Sequence, residues 1–422
     1  MVPYQRRGYK CLVLPRRSVR RGLAGVPGMS TYVLFALPLH GHLPQVLQLT
    51  TALSSRGARV VCYSSAAFAG RIADAGGAWR IYPSALLDDL RYTPDFCLRL
   101  MQCAQAILSH EMPTLRRDCP AAIIYDALLP WGPAVADLLQ VPAISLVPNF
   151  VCHEPVMQML RSCRVAPRSI VDLMAGCFAR AEAGRIIAEL QAEFGVEVRD
   201  PGGMPLPSDP LNLVFTSRLL QPYAEALDGR YVFAGPALPP LAPADDSVVL
   251  GLRDVPLIYV SFGTVFNGDR QLFEACFEAL AQLDCEVIAS TGGAHMAADF
   301  PSARNVRILP FVRQSAVLQR AAVVINNGGM NTVCESLSHG VPLVVIPSTE
   351  EQDIFARRLG EIGCAIHVPR IEVHSESLVR AVSRLLVDAG PRRACGEVAR
   401  SFAGAGGADL AADRIGSLTA GR

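Results

Sequence analysis

The sequence predicts an α/β protein made of two doubly wound domains. Three observations predict it. The first half alternates short apolar strands with segments of helical periodicity. The second half starts the same alternation afresh. A proline-rich run, GPALPPLAPADD beginning at Gly235, lies between them. The chain has 422 residues, enough for two domains of ordinary size, and 51% of them are apolar, enough for each to bury its own core.

In the first half, Tyr32–Leu37 is an apolar strand. Pro44 then suits the first turn of a helix, Val46, Leu49 and Leu53 recur at helical spacing, and Gly57 ends it. Arg59–Tyr63 is the next strand, which completes a βαβ unit and implies a parallel sheet. Ala121–Tyr125, ending at Asp126, and Val141–Leu146 are further strands. Residues 153–200 read as helical and amphipathic, and Asp200–Pro210 as loop. In the second half Leu257–Phe262 is a strand, Gln271–Leu283 a helix and Glu286–Ala289 a strand. Val306–Leu309, Val323–Ile325, Leu343–Ile346 and Ala365–Val368 follow as strands with helices between. The expected division is 29–235 for the first domain, 236–255 for the linker, 256–400 for the second domain and 401–422 for a terminal helix. Residues 1–28 carry Arg6, Arg7, Arg16, Arg17, Arg20 and Arg21 around a short apolar run, Cys11–Leu14. They read as a disordered basic extension or as the product of a misassigned start ahead of Met29.

Composition excludes several functions. With 39 basic against 38 acidic residues, the net charge of +1 argues against nucleic acid as a partner. No apolar run has the length of a membrane span. The thirteen cysteines form no CxxC pair and read as buried thiols of a reduced, cytoplasmic protein. No metal-ligand cluster is visible, so no metal is expected.

The chemistry-bearing residues concentrate in two places. The first strand leads into Pro38-Leu39-His40-Gly41-His42-Leu43-Pro44, at the carboxyl end of a parallel strand, where open α/β sheets place their sites. A histidine there suits a general base near neutral pH, although a loop histidine taken alone is more often a structural hydrogen-bonder. Asp126 also ends a strand and could orient that histidine or cap a helix. In the second half a buried strand feeds Gly328-Gly329 and then a helix from Met330 to His339. A Gly-rich turn at a helix N-terminus aims N–H groups and the dipole's positive end at a phosphate. Glu335 follows one turn on, able to accept from ribose hydroxyls. The loop after Pro347 delivers Glu351, Gln352 and Asp353, a polar trio able to bind sugar hydroxyls.

From about Ser30 to Leu418 these motifs, in this order, resemble the family 1 glycosyltransferases. The style of GGMN followed by ESLSHGVPLVVIP is closest to the bacterial macrolide-type branch. The resemblance implies the GT-B fold, two facing Rossmann-like domains with a cleft between them and a final helix, placed at Gly406–Leu418, crossing back to the first. It implies His42 as catalytic base, with His40 as the fallback because the proline falls one position early, and Asp126 as its partner. In the donor site it implies Ser261 and Thr264 near the diphosphate. Phe311 would stack on the base, with Val312 and Gln314 at its edge. The phosphate segment would be Asn327, Gly328, Gly329, Asn331 and Thr332. Glu335 would hold the ribose, and Glu351 and Gln352 the hexose. Asn327 departs from the family, which has a phosphate-contacting histidine there. An amide carries no charge, so a weaker contact is expected, and Asn327→His is expected to lower the donor KM. His295, His339, His367 and His374 lie outside every motif and read as structural or surface residues.

The function so implied is inverting O-glycosyl transfer of a hexose, with UDP-glucose as donor substrate and no cofactor. The acceptor would be a lipophilic natural product such as a macrolide, polyketide or phenolic. Trp131, Phe150 and Met157 would line the acceptor site, with Met159, Phe96 and Leu100 nearby. A monomer or weak homodimer is expected. The alternatives are a non-catalytic binding relative, a transferase using a TDP-deoxysugar, and an NAD-dependent oxidoreductase. The last lacks a GxGxxG after the first strand, where HGHLP stands.

Overall fold

The computed structural model describes residues 29–83, 87, 95–162, 170–200, 209–241, 247–263, 269–293, 300 and 305–420. The 1–28 segment, Thr264 and His295 lie outside them. Two parallel sheets organise the chain. The first joins β1 (Thr31–Phe35), β2 (Arg59–Ser64), β3 (Ala78–Ile81), β4 (Ala122–Asp126), β5 (Ala143–Val147), β6 (Leu211–Val214) and β7 (Tyr231–Phe233) in the order β3-β2-β1-β4-β5-β6-β7. The second joins β8 (Leu257–Ser261), β9 (Glu286–Ser290), β10 (Val306–Leu309), β11 (Ala321–Asn326), β12 (Leu343–Val345) and β13 (Ala365–His367) in the order β10-β9-β8-β11-β12-β13. Every pairing is parallel.

The strand sequences explain why these segments are central. TYVLF, AIIYD and LIYVS are near-continuous apolar runs, because helices cover both faces of a parallel sheet. Val33, Phe35, Ile123 and Tyr125 enter one core of the first sheet, and Tyr32, Leu34, Ala122 and Ile124 enter the other. Each buried aliphatic side chain of this kind contributes roughly 1.5–3 kcal/mol. The helix Gly407–Thr419 packs on the first sheet, where Ala411, Ala412 and Ile415 join the core of β1. Arg56 pairs there with Asp409 at 2.8 Å and Asp413 at 3.2 Å, and Tyr32 Oη lies 3.0 Å from Thr419 Oγ1. The described residues after the second sheet thus end on the first.

In both sheets the winding reverses beside the first strand. The switch point lies between β1 and β4 in one sheet and between β8 and β11 in the other. Loops leaving adjacent strands part there and open a crevice at the carboxyl ends. His42 and Asp126 flank the first crevice; Ser261 and Asn326-Asn327-Gly328-Gly329 flank the second.

Candidate active site

The first crevice holds a preformed pair. Beyond β1 the chain stays buried to Leu39, and the His42 N–H donates to the Leu39 carbonyl at 2.9 Å. His42 is the N-cap of the helix Leu43–Ser55, with Pro44 in the first turn. Asp126 is the last residue of β4, the neighbour of β1. These placements bring His42 Nδ1 to 2.7 Å from Asp126 Oδ2. A carboxylate can only accept, so the proton of this bond sits on Nδ1, and in neutral His42 Nε2 carries the lone pair. Asp126 Oδ1 accepts from the Leu128 N–H at 3.0 Å, which fixes the carboxylate plane. His40 is exposed and packs edge-on against Phe68, so the chain pairs His42, not His40, with the aspartate.

Tyr125, next to Asp126, is clamped from both ends. Its hydroxyl bonds to Asp209 and accepts from Arg199 Nη1 at 2.6 Å. Its ring lies so close to Gly132 that a Cβ there would sit 2.1 Å from it. The strand end carrying Asp126 is therefore held rigidly from below.

Burial by itself would lower the His42 pKa. The charge of Asp126 and its hydrogen bond outweigh that, with a further push from the charge of Glu351, and the pKa lies above the usual 6.5. Glu351 belongs to the second domain, so both halves of the chain act on one imidazole. Burial raises the Glu351 carboxyl pKa in turn, against the Asn149 hydrogen bond and the charge of His42.

The second crevice is built from the turn after β11. Gly328 has φ +83°, and a Cβ there would come within 3.1 Å of Val345 and 3.3 Å of the Gln352 carbonyl, so only glycine fits. The two asparagines shape this turn. Asn326 Oδ1 accepts from the Gly328 N–H at 2.6 Å, and Asn327 Oδ1 accepts from the Gly329 N–H at 3.3 Å. Asn327 Nδ2 donates to the Phe262 carbonyl at 3.1 Å, tying the β11 turn to the end of β8. This corrects two sequence expectations. The N–H groups of Gly328 and Gly329 are engaged within the turn, and Asn327 is a buried bracket before it is a phosphate donor. Gly329, the N-cap of the helix Met330–Ser338, offers no side-chain cap, so the first-turn N–H groups of Met330, Asn331 and Thr332 point out of that end.

Along the same face Gln314 accepts from Tyr259 Oη and Thr332 Oγ1, each at 3.3 Å, and its hydrogen bond opposes a burial-raised pKa at Glu335. Phe311 is 66% exposed, an aromatic face with no cover. Val312 packs partly buried beside it. Ser261, at the end of β8, is buried, and the Gln352 side-chain carbonyl accepts from the Ser348 N–H at 2.8 Å. Asp353, grouped with Glu351 and Gln352 from sequence, turns away: it is buried and pairs with Arg357 at 2.8 Å and His367 at 3.0 Å.

Polar contacts join the two crevices. Asn331 Nδ2 donates to the Gly41 carbonyl at 3.2 Å, one residue from His42. Asn149, just beyond β5, donates to Glu351 Oε1 at 2.5 Å. Behind them Phe150 stacks on Phe355, with ring centroids 6.0 Å apart, and Arg358 donates to the Leu219 carbonyl at 2.9 Å. A cavity of about 260 Å³ opens between the domains, bounded by Pro44, Gln45, Gln48, the linker from Pro236 to Pro240, and the Asn331–Glu335 face. Asn149 and the linker contacts were not anticipated; neither carries a sequence signal before the domains are docked.

The expected acceptor lining is corrected. Trp131 has no exposed surface and packs edge-on between Phe35 and Tyr82 in the first-domain core. Phe150 is 3% exposed and Met157 packs against the second-domain core, so both build the interdomain contact. The helix Glu154–Ser162 follows Phe150 there. Of the histidines outside the motifs, His339 bonds back to the Glu335 carbonyl and His374 caps the helix Ser375–Val387. Among the described residues no cluster of three or more His, Cys, Asp or Glu could hold a metal, and no helix is long and apolar enough to cross a membrane.

Residues 274–407 match the model of the erythromycin biosynthesis protein CIII-like C-terminal domain. Over 405 residues the chain is 28% identical to the uncharacterized UDP-glucosyltransferase YojK of Bacillus subtilis, covering 92% of this chain and 97% of that protein. It is 29% identical over 388 residues to the NDP-glycosyltransferase YjiC of the same organism, covering 90% and 95%. A crystal structure of the glycotransferase of kitacinnamycin superposes with a TM-score of 0.77 at 26% identity, covering 92% of this chain and 99% of that one.

Proposed function

We propose that this chain, which belongs to the macrolide-type branch of the family 1 glycosyltransferases and has their GT-B fold, moves a hexose from UDP-glucose to a hydroxyl of a lipophilic natural product, with inversion. The observation that carries the reading is the 2.7 Å His42–Asp126 pair, buried at one switch point and facing the second domain's polar face. An acceptor hydroxyl titrates far above neutrality and needs its proton removed as it attacks. Nε2 of His42 takes that proton while the acceptor oxygen bonds to the anomeric carbon. The bond from that carbon to the diphosphate oxygen breaks on the opposite face, and the diphosphate departs with the electron pair. Asp126 holds the Nδ1–H tautomer and stabilises the imidazolium. No covalent sugar–enzyme intermediate is needed.

The leaving diphosphate gains charge in the transition state. The first-turn N–H groups at Met330–Thr332 and the helix dipole supply the compensating field. Phe311 covers the base, Gln314 its edge, Glu335 the ribose, and Glu351 with Gln352 the hexose. The name NDP-glycosyltransferase of one relative leaves room for a TDP-sugar as a second reading. The test is sugar transfer followed by mass spectrometry, with UDP- and TDP-sugars against polyketide and phenolic acceptors and His42→Ala alongside. A product heavier by one hexose with UDP-glucose, lost in the variant, is the expected result. Undiminished product from His42→Ala would remove His42 as base.

A further inference from the structure

Gln45 is a buried polar side chain that the mechanism above does not use. It is 3% exposed, and among the described residues its amide nitrogen has no hydrogen-bond partner. A buried donor left unmade is costly, and such a group calls for an explanation. Its neighbourhood supplies one. Gln45 lines the cavity between the domains, and the Asn331–Glu335 face lines the other side. Asn331 is engaged with the Gly41 carbonyl, and Gln48, one turn on from Gln45, donates to the Leu238 carbonyl at 2.8 Å. On the first-domain wall the cavity is thus bordered by the buried, uncommitted Gln45 amide nitrogen and by the exposed Arg71 guanidinium, and on the second by one carboxylate acceptor, Glu335.

A ligand completing both must accept on one side and donate on the other. A vicinal diol does so: one hydroxyl donates to the carboxylate and its neighbour accepts from the amide. A phosphate oxygen would satisfy Gln45 but meet Glu335 with like charge, which the exposed Arg71 on the same wall offsets only in part. The volume, about 260 Å³, equals roughly eight or nine waters at about 30 Å³ each, room for a pentose ring with its hydroxyls.

We propose that Gln45 is a specificity-determining donor contact, which together with Glu335 reads the ribose diol of the nucleotide and so makes this site select ribonucleotide over 2′-deoxyribonucleotide donors. The inference rests on the reading of this cleft as a nucleotide-sugar site. A site with a buried donor built to meet a hydroxyl rejects the analogue lacking it, because the donor is then left unpaired. UDP-sugars carry the 2′-hydroxyl and TDP-sugars do not, so Gln45 bears on the choice between the two donor classes.

The test compares UDP with dUDP, which differ only in that hydroxyl, by calorimetric titration of the full chain and of Gln45→Met. Methionine keeps the length and apolar stem and removes the donor. Wild type should bind UDP about 10-fold tighter than dUDP, the size of one hydrogen bond. Gln45→Met should lose that margin through weaker UDP binding, with dUDP binding unchanged. Its Tm should be equal or higher, since an unpartnered buried amide has been removed. Equal loss for both nucleotides, or a lowered Tm with the margin kept, would make Gln45 a packing residue and overturn the proposal. Glu335→Gln should also shrink the margin; a full margin in that variant would overturn the pairing with Glu335. If wild type binds neither nucleotide, the reading of the cleft falls as well. If it binds both equally yet transfers hexose, only the role of Gln45 falls.

Discussion

The two switch points of this molecule are built alike and finished differently. At the first, His42 and Asp126 are buried and bonded at 2.7 Å, and the strand end beneath them is clamped by Gly132, Arg199 and Asp209. At the second, Phe311 is two-thirds exposed, Asn331 and Glu351 are engaged by first-domain partners, and the amide nitrogen of Gln45 across the cavity has no partner among the described residues. One region is aimed by its own contacts, and the other is held by contacts that a nucleotide sugar would exchange. The difference follows from their tasks. A base must be aimed before the acceptor arrives, because misplacement costs rate directly. A donor site that must admit a nucleotide and release it after each turnover works with contacts that can be traded.

The largest effect expected from this contrast is at Asp126. Asp126→Asn keeps the shape but loses the charge that fixes the imidazole, and kcat should fall by about 10²–10⁴-fold. Nucleotide affinity, measured by titration with UDP, should not move. A matching loss of affinity would show that the two regions are not separable. Next comes Phe311→Ala, which should raise the donor KM with little change in kcat. Loss of a base-stacking face costs about 1–3 kcal/mol, or roughly 5- to 150-fold. An unchanged KM would mean that the exposed ring has another role.

Gly132→Ala tests the clamp. An added methyl must displace the Tyr125 ring, so the chain should lose about 1–3 kcal/mol of stability in a denaturant titration. The turnover of the folded fraction should drop as Asp126 shifts. Full turnover with reduced stability would show that the clamp supports the fold and not the pair.

The smallest effect concerns pH. Neutral His42 is the base, so kcat/KM should rise with pH through a pKa above 6.5. Glu351 raises that pKa by its charge, so Glu351→Gln should move the rising limb to lower pH. A limb that stays in place, or moves up, would show that the second domain does not act on His42.

Much of the fold was legible because parallel strands are apolar on both faces. β1, β4, β8 and β11 stand out as uninterrupted runs, and the residues that end them locate both crevices. β3, β6 and β7 were not read. β3 is an edge strand, AWRI, with an exposed pattern, and LNLV and YVF are short segments beside loops, so neither periodicity nor length marks them. His42 and Asp126 could each be placed at a strand end, but 84 residues separate them, and only the order β2-β1-β4 makes them neighbours. The acceptor lining was misread for the opposite reason. Trp131 and Phe150 are large and apolar near the crevice, and such residues complete a core before they line a cleft. Asn327 was read from its place in a motif; the bracket to Phe262 depends on β8 and β11 lying side by side. The larger imidazole has to displace its buried neighbours to keep both bonds, to the Gly329 N–H and the Phe262 carbonyl. Asn327→His should therefore leave the donor KM unimproved and lower Tm, contrary to the sequence expectation. Gln45 carried no sequence signal of its own; its place at the cavity appears only once the second domain lies against the first.

A preformed base that drives a single displacement fixes the stereochemistry of the product. The anomeric configuration of the glycosylated product, read by proton NMR after transfer from UDP-α-glucose to an acceptor that the chain takes, tests it most directly. A β-linked product is expected. An α-linked product would require a second displacement or a front-face mechanism and would contradict it.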